Sequence, residues 1–225
     1  MSDCFMRRAF DVICASVALI LLSPVLAFVA LAIKLEDGGP IFFSQTRVGM
    51  NFRRFRFHKF RSMLPGAERR GCPITEPGDA RITRVGAFLR KYKLDELPQL
   101  FNVLTGDMQL VGARPELERY VEMFRPHYTQ LLRDRPGLTD PATLAYRHEE
   151  QILKPGEVEE SYVNEVLPRK LKISLEYAQR RTILSDLRVI LMTLFGASPV
   201  HDNSESVETL LHSRARTSNE DGAQQ

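Results

Sequence analysis

Two adjacent carboxylates, Asp95 and Glu96, follow closely on a run of basic residues that includes Arg84, Arg90 and Lys93. Positive charge keeps a carboxylate ionised and attracts phosphate groups. An ionised aspartate can attack phosphorus and form an acyl-phosphate, and a divalent cation would then be needed to offset the charge between carboxylate and diphosphate. These residue types therefore favour phosphoryl transfer, with Asp95 as the nucleophile.

Glu96 cannot simply duplicate Asp95, because adjacent side chains diverge on a helix. We expect Glu96 to act separately, as a base or in positioning metal and substrate. The apolar spacing from Leu94 predicts a short helix here, which Gly106 would end in a left-handed conformation. A purely structural role is the alternative, since Asp95 stands where the N-cap is expected and Pro98 falls in the first turn. Local sequence leaves both interpretations open.

Arginines elsewhere in the chain are candidates for gripping phosphate. Arg114 stands in a loop between Gly112 and Pro115, where the backbone is constrained, and a guanidinium suits bidentate phosphate contacts. Taken alone, an arginine in this setting is more often a surface or ion-pairing residue. Arg147 carries weaker local evidence of the same kind.

Arginine and phenylalanine alternate between Arg53 and Arg61, with Phe55 and Phe57 on one face. This is the period of a half-exposed strand. Interleaved aromatic and basic residues could also stack nucleic-acid bases. A strand that faces the core on one side and lipid phosphates or substrate on the other needs the same pattern, so we favour the strand and expect no nucleic-acid partner.

A long stretch without charged residues runs from Val12 to Ile33, and a membrane helix needs about 20 apolar residues. The competing interpretations are a signal peptide, a straight transmembrane span and a helix that enters and leaves by the same face. A signal peptide would have a shorter apolar core and a clearer cleavage site. Ser23 and Pro24 interrupt the middle of the stretch, and an interior proline predicts a kink.

Basic residues flank this stretch on both sides, because Arg7 and Arg8 precede it and Lys34 and several arginines follow it. Positive charge favours the cytoplasmic side of a membrane. A helix bent at the proline puts both flanks on that side without a second span. The sequence therefore predicts a re-entrant membrane helical hairpin over residues 1–36.

The remainder predicts one small domain over residues 37–200, of α+β class, mostly helical with short strands. The formal net charge is only +3, and the three cysteines have no spacing that suggests zinc or a disulfide framework. An apolar stripe over residues 183–195 is of a kind that is more often core, although a helix lying in the membrane interface has the same signature. Residues 201–225 are polar and aperiodic, which predicts a disordered tail.

A series of short motifs resembles the bacterial sugar transferase family, the monotopic phosphoglycosyl transferases. Each motif alone is weak, but so many in one order are specific, and the chain is similar to the minimal catalytic form of the family. The resemblance runs from Arg7 to about Leu194. It rests on Phe10-Asp11, Ser23-Pro24, Gly39 to Gln45, Lys59 to Met63, Arg81 to Gly86, Leu89 to Lys91, Leu94 to Leu100, Asn102 to Leu104, Gly106 to Met108 and Arg135 to Thr139.

The resemblance implies a re-entrant helix bent at Ser23 and Pro24, and a catalytic dyad at Asp95 and Glu96. In this family the aspartate attacks the β-phosphate of a UDP-sugar and UMP leaves. A polyprenyl phosphate such as undecaprenyl phosphate then takes the phosphosugar from the enzyme. Mg²⁺ is the implied cofactor, with Asp95 as a metal ligand and Glu96 assisting.

The resemblance also implies roles for Lys59, Arg90, Arg114 and Arg147, which match positions that the family uses around the phosphates and the nucleotide. Ala113 stands where the family usually has the first proline of Pro-Arg-Pro, so we expect a less rigid loop. The segment before Arg147 also departs from the family pattern, which leaves its role and the sugar preference open.

The implied step initiates assembly of a bacterial exopolysaccharide, capsule, O-antigen or glycoprotein glycan. It takes place on the cytoplasmic face of the inner membrane, with membrane lipids as further partners and a homodimer compatible with it. The alternative from another class is a membrane-anchored regulatory or interaction protein that binds anionic lipid without catalysis.

Overall fold

The computed structural model describes residues 2–69, 71–76, 78–154 and 156–196, so the predicted tail over residues 201–225 lies outside the described residues. The described chain is mostly helical with a few short strands, as expected. Its elements are α1 (Ser2–Asp37), β1 (Phe42–Val48), β2 (Arg54–Phe60), α2 (Arg84–Lys91), α3 (Gln99–Thr105), β3 (Gln109–Val111), α4 (Glu118–Met123), α5 (Arg125–Leu131), β4 (Gly137–Thr139), α6 (Pro141–Ala145), α7 (Val158–Ser161), α8 (Leu167–Arg180) and α9 (Ile183–Phe195). A π-helical turn, Tyr162–Val166, joins α7 to α8.

The first two strands form an antiparallel hairpin in which Phe42 pairs with Phe60. As the alternation predicted, β2 presents one face to the core and the other to solvent. Phe57 is buried and Phe55 half-buried on one face, whereas Arg54 and Arg56 on the other face are exposed. Phe60, at the end of the strand, is buried on this second face against α1 and α2. The hairpin therefore provides a rigid edge on which side chains can be positioned.

The other two strands, β3 and β4, pair in parallel, and the loop after β3 leads to Arg114. The backbones of Gly112 and Gly137 approach so closely that a Cβ on Gly137 would lie 2.1 Å from the Gly112 nitrogen. Only glycine fits such a crossing. This contact fixes where the Arg114 loop leaves the sheet.

The predicted membrane segment forms a single continuous helix, α1, and not two separate helices. Pro24 lacks the N–H that would bond the carbonyl of Ile20, and the Ser23 hydroxyl donates to that oxygen at 2.8 Å instead. Of the part of the chain that the structure describes, this is the one helix long and apolar enough to cross a membrane, and 11% of its most apolar window is buried. The helix therefore fits a membrane anchor better than a core helix of a soluble protein.

Both flanks of α1 bind the rest of the protein. Arg8 Nη1 donates to the Val103 carbonyl at 2.6 Å, and Asp37, at the other end, forms an ion pair with Arg61. Ala15 and Ile33 are buried in two different core clusters. A signal peptide that is removed would take both residues out of the core, so the structure does not support that interpretation.

Of the two interpretations of the apolar stripe on α9, its exposure agrees with the interfacial helix and not with a core helix. Leu184, Leu194 and Phe195 are 76%, 74% and 83% exposed, whereas Asp186 and Val189 are buried. Ion pairs from Arg7 and Arg181 hold Asp186 and turn this polar face inward. The apolar face of α9 is left uncovered, as for a helix that lies in a membrane interface.

Candidate active site

The dyad occupies a 3₁₀ turn, Leu94–Glu96, between α2 and α3. The prediction that Asp95 is an N-cap is wrong, because neither the turn nor α3 has a side-chain cap hydrogen bond and α3 begins only at Gln99. Lys93 adopts a left-handed conformation with φ 57° and starts the helical turn before Asp95 is reached. Asp95 therefore lies inside the turn, and capping does not explain its presence.

Asp95 is only 5% exposed, and its Oδ1 is enclosed without a hydrogen-bond partner. Burial, and then the charge of Glu96, raise the pKa of Asp95, while the cations of Lys59, Arg90 and Lys93 act to lower it. A carboxylate that is short of hydrogen bonds yet surrounded by cations is poorly stabilised in the resting protein. Such a group is suited to react with an incoming phosphate.

Lys59 extends from β2 toward the dyad. Burial lowers its pKa to about 8, with smaller lowering contributions from Arg47 and Arg90, and Asp95 opposes them. The Lys59 ammonium also lies 5.3 Å from the ring centre of Phe43 on the adjacent strand. The hairpin thus holds a desolvated cation beside Asp95.

Glu96 and Arg114 form a bidentate ion pair, in which Arg114 donates to Oε2 at 3.0 Å and to Oε1 at 2.6 Å. Burial alone would raise the pKa of Glu96, but Arg114, and then Lys93 and Lys59, bring it down to about 2. The Arg114 guanidinium also lies 5.8 Å from the ring centre of Phe57. These contacts fix Glu96 as a carboxylate and fix the orientation of Arg114.

Arg90 and Arg147 differ in where the structure places them. Arg90 donates to Glu150 at 3.0 Å and lowers the pKa of Asp95, so it belongs to the same cluster as Lys59 and the dyad. Arg147 approaches Gly196 at the end of α9, where a Cβ would lie 3.4 Å from its Nη1. The charges that dominate the pKa of the two dyad carboxylates do not include Arg147.

Sequence reasoning did not single out several residues that support the site. Arg47 pairs with the buried Glu116 at 2.9 Å, and the Tyr162 hydroxyl donates to the same carboxylate at 2.7 Å. Arg47 also lies 5.6 Å from the ring centre of Phe57. The paired residues are far apart along the chain, so no local spacing could have revealed the pairs.

The donor groups at the dyad suit a magnesium ion that arrives with a substrate. Among residues 2–69, 71–76, 78–154 and 156–196, no cluster of three or more His, Cys, Asp or Glu side chains could hold a metal. Mg²⁺ is commonly bound through one or two carboxylates plus substrate phosphates. Asp95, whose carboxylate forms no salt bridge among the described residues, fits that mode, whereas Glu96 is already paired with Arg114 through both oxygens.

The chain is similar to known proteins over most of its length. The family model for bacterial sugar transferase matches residues 2–198. UDP-N-acetylgalactosamine-undecaprenyl-phosphate N-acetylgalactosaminephosphotransferase of Aeromonas hydrophila is 44% identical over 145 residues, which are 63% of this chain and 34% of that protein. UDP-glucose:undecaprenyl-phosphate glucose-1-phosphate transferase of Escherichia coli K12 is 36% identical over 194 residues, 84% of this chain and 39% of that protein.

A third relative matches over most of its own length. Exopolysaccharide production protein ExoY of Rhizobium meliloti 1021 is 33% identical over 207 residues, which are 84% of this chain and 83% of that protein. The chain spans only 34% and 39% of the length of the first two relatives. The family match nevertheless covers the helix α1, the dyad and Arg114, which pairs with Glu96. The chain therefore belongs to the bacterial sugar transferase family.

Proposed function

We propose that the protein transfers a phosphosugar from a UDP-sugar to undecaprenyl phosphate, with release of UMP, and so initiates assembly of a bacterial surface glycan. The observation that carries the proposal is Asp95, which is buried among cations and caps no helix. The relatives named as undecaprenyl-phosphate sugar phosphotransferases support the substrate class.

In the first step an oxygen of Asp95 attacks the β-phosphorus of the donor. The bond between this phosphorus and the bridging oxygen breaks, and UMP leaves with the electron pair. The product is a phosphosugar held on Asp95 as an acyl-phosphate. Lys59, Arg90 and Lys93 stabilise the negative charge that spreads over the phosphoryl oxygens, because they already face this carboxylate.

In the second step a phosphate oxygen of undecaprenyl phosphate attacks the same phosphorus, and the carboxylate of Asp95 leaves. In both steps Glu96, held ionised by Arg114, keeps the guanidinium of that arginine in position for the phosphoryl oxygens. Mg²⁺, when bound, offsets the negative charge between carboxylate and diphosphate. Asp95 is regenerated at the end of the cycle.

The acceptor is a lipid, so the site must lie at a membrane surface. The exposed apolar surface of α1 and of α9 supports membrane attachment. A straight span would put Arg8 and Asp37 on opposite faces of the bilayer, yet both bind the same domain. This supports a re-entrant α1 that bends near Pro24, with residues 37–200 forming a catalytic domain on the cytoplasmic face.

Release of UMP by purified protein tests the proposal. Wild-type protein in detergent, with undecaprenyl phosphate, Mg²⁺ and either UDP-glucose or UDP-N-acetylgalactosamine, is expected to release UMP. Asp95→Asn removes the nucleophile and should lower the rate at least about 10³-fold, while Asp134→Asn, at an exposed position, should leave it unchanged. Equal, measurable rates for Asp95→Asn and wild type would exclude Asp95 as the nucleophile. No UMP release by the wild-type protein would instead favour an anionic-lipid-binding protein without this chemistry.

A further inference from the structure

Gln99, the first residue of α3, is fully buried, and both polar atoms of its side chain lack a hydrogen-bond partner. Asn102 lies on the same helix and is equally buried, but its amide is satisfied. Its Nδ2 donates to the Arg56 carbonyl at 2.7 Å, and its Oδ1 accepts from the backbone of His58 at 3.1 Å. The two amides therefore provide a direct comparison within one element.

A buried amide without partners destabilises the fold, because it loses its hydrogen bonds to water and gains none in return. Methionine has a similar length, fills irregular space and has no strong hydrogen-bonding group to satisfy. Packing alone would therefore favour an apolar residue at Gln99, whereas Asn102 contributes to stability by joining α3 to β2. The amide of Gln99 needs another explanation.

The explanation lies one helical turn away, at the unpartnered Oδ1 of Asp95. Leu97 and Pro98 both have helical backbone angles and join the 3₁₀ turn to α3, so Gln99 follows Asp95 by about one turn. Both side chains are buried. A carboxylate oxygen only accepts hydrogen bonds, while the Gln99 amide nitrogen carries two donors. The two unsatisfied groups are thus complementary in chemistry and adjacent in position.

We propose that Gln99 is a positioning residue for the nucleophile. Its Nε2 donates to Oδ1 of Asp95 when the donor is bound, which holds the carboxylate with Oδ2 toward the β-phosphorus. The two side chains make no hydrogen bond in the described structure, so a side-chain rotation of one of them accompanies donor binding. The inference rests on the proposed function and adds a residue to it.

The test compares Gln99→Met with Asn102→Leu, using UMP release and thermal unfolding followed by circular dichroism. Gln99→Met should unfold at the same temperature as wild type or about 2–4 °C higher. Its kcat should fall about 10- to 100-fold with little change in KM for the UDP-sugar, because the lost contact orients the attacking oxygen. Asn102→Leu should unfold at a lower temperature, since it loses two hydrogen bonds to β2.

A second variant, Gln99→Glu, keeps the size of the side chain but replaces the donor with a charge. It should lose at least as much kcat as Gln99→Met, because a carboxylate cannot donate to Asp95. Three results for Gln99→Met would overturn the inference: an unchanged kcat, a rise in KM alone, or a loss of kcat together with a lower unfolding temperature. The first two exclude positioning and the third indicates a damaged fold.

Asp95→Asn, measured in the same series, separates this inference from the proposed function. If Asp95→Asn is inactive while Gln99→Met is fully active, only the role of Gln99 fails. If Asp95→Asn retains the wild-type rate, the proposed function itself fails, and with it any nucleophile for Gln99 to position.

Discussion

Arg114 binds through two kinds of contact at once, a bidentate ion pair with Glu96 and a cation–π contact with Phe57. A lysine could keep the charge, but it has neither the planar fork nor the stacking surface of a guanidinium. The geometry of Arg114, and not its charge alone, therefore holds Glu96 in place.

Replacing Arg114 by lysine should lower kcat/KM for UMP release about 10²-fold, because Glu96 loses one of its two hydrogen bonds and shifts from the diphosphate. Arg119→Lys is the matched control, since Arg119 also combines an ion pair, to Glu159, with a contact over a ring, that of Tyr120. The control should retain wild-type activity. Equal losses in both variants would show that Arg114 has no special role.

The pH dependence of the free energy of unfolding tests the ion pair between Glu96 and Arg114. The folded pKa of Glu96, about 2, lies below the ordinary pKa of a glutamate, 4.5, so its contribution is present above about pH 4.5 and is lost as the pH falls toward 2. Asp95→Asn protein removes the neighbouring carboxylate, which would otherwise titrate as well. In that background Glu96→Gln should lower the stability at about pH 7 by about 1–3 kcal/mol.

The difference between these two proteins should shrink at about pH 3, where Glu96 is mostly protonated in the unfolded state but still ionised in the folded state, so that unfolding takes up a proton. The measurement is thermal unfolding by circular dichroism at both pH values, and a shift of a few degrees is expected for a chain of this size. A gap in unfolding temperature that is the same at both pH values would contradict the assigned ion pair.

At the scale of elements, α9 shows how one ion-pair cluster sets the orientation of a helix. Thr182 and Ser185 form a capping box, and the helix spans the predicted range. Its hydrophobic period could not say which face is buried, because a core helix and an interfacial helix share that period. The ion pairs of Asp186 with Arg7 and Arg181 determine which face of α9 is buried, and both arginines lie outside α9.

Tryptophan scanning tests whether the exposed face of α9 enters the bilayer, since the chain has no tryptophan of its own. Leu184→Trp, reconstituted in vesicles, should give blue-shifted emission that brominated lipids quench, because its side chain would lie among acyl chains. Met123→Trp, at a 59% exposed position on α4, should emit as in water and resist quenching. Identical spectra for the two proteins would contradict an interfacial α9.

At the scale of the whole molecule, α1 ties its two flanks to one domain. Arg8 and Asp37 lie 29 residues apart in the sequence, about 44 Å along a straight helix, and both bind residues that follow α1 in the chain, Val103 and Arg61. Pro24 leaves the Ile20 carbonyl without its helical N–H donor. The Ser23 hydroxyl donates to this carbonyl and so reduces the destabilisation that Pro24 causes. A bend at this point is therefore compatible with continuous helical backbone.

Cysteine labelling tests the topology of α1. In protein whose native cysteines are replaced by serine, Phe5→Cys and Glu36→Cys, both at exposed positions, should react from the same side in oriented vesicles. A membrane-impermeant maleimide should label both from the cytoplasmic face, because both flanks carry the positive charge that favours that face. Labelling from opposite faces would show that α1 is a straight span.

Local patterns in the sequence predicted part of the fold. Alternation identified β2, and Gly106 ends α3 in a left-handed conformation as predicted. The cap predicted for Asp95 failed because a left-handed Lys93, which no propensity would suggest, starts the turn early. The partners of Arg114, Glu116 and Asp186 also escaped prediction, because they come from distant parts of the chain.

The most direct test of the account is to locate the covalent intermediate. Wild-type protein is mixed with Mg²⁺ and UDP-glucose or UDP-N-acetylgalactosamine in the absence of undecaprenyl phosphate, quenched in acid, digested and analysed by peptide mass spectrometry. We predict a phosphosugar adduct on the peptide that contains Asp95, and its disappearance when undecaprenyl phosphate is added before the quench. An adduct on any other side chain, or transfer to the lipid without any adduct on Asp95 at early times, would contradict the account.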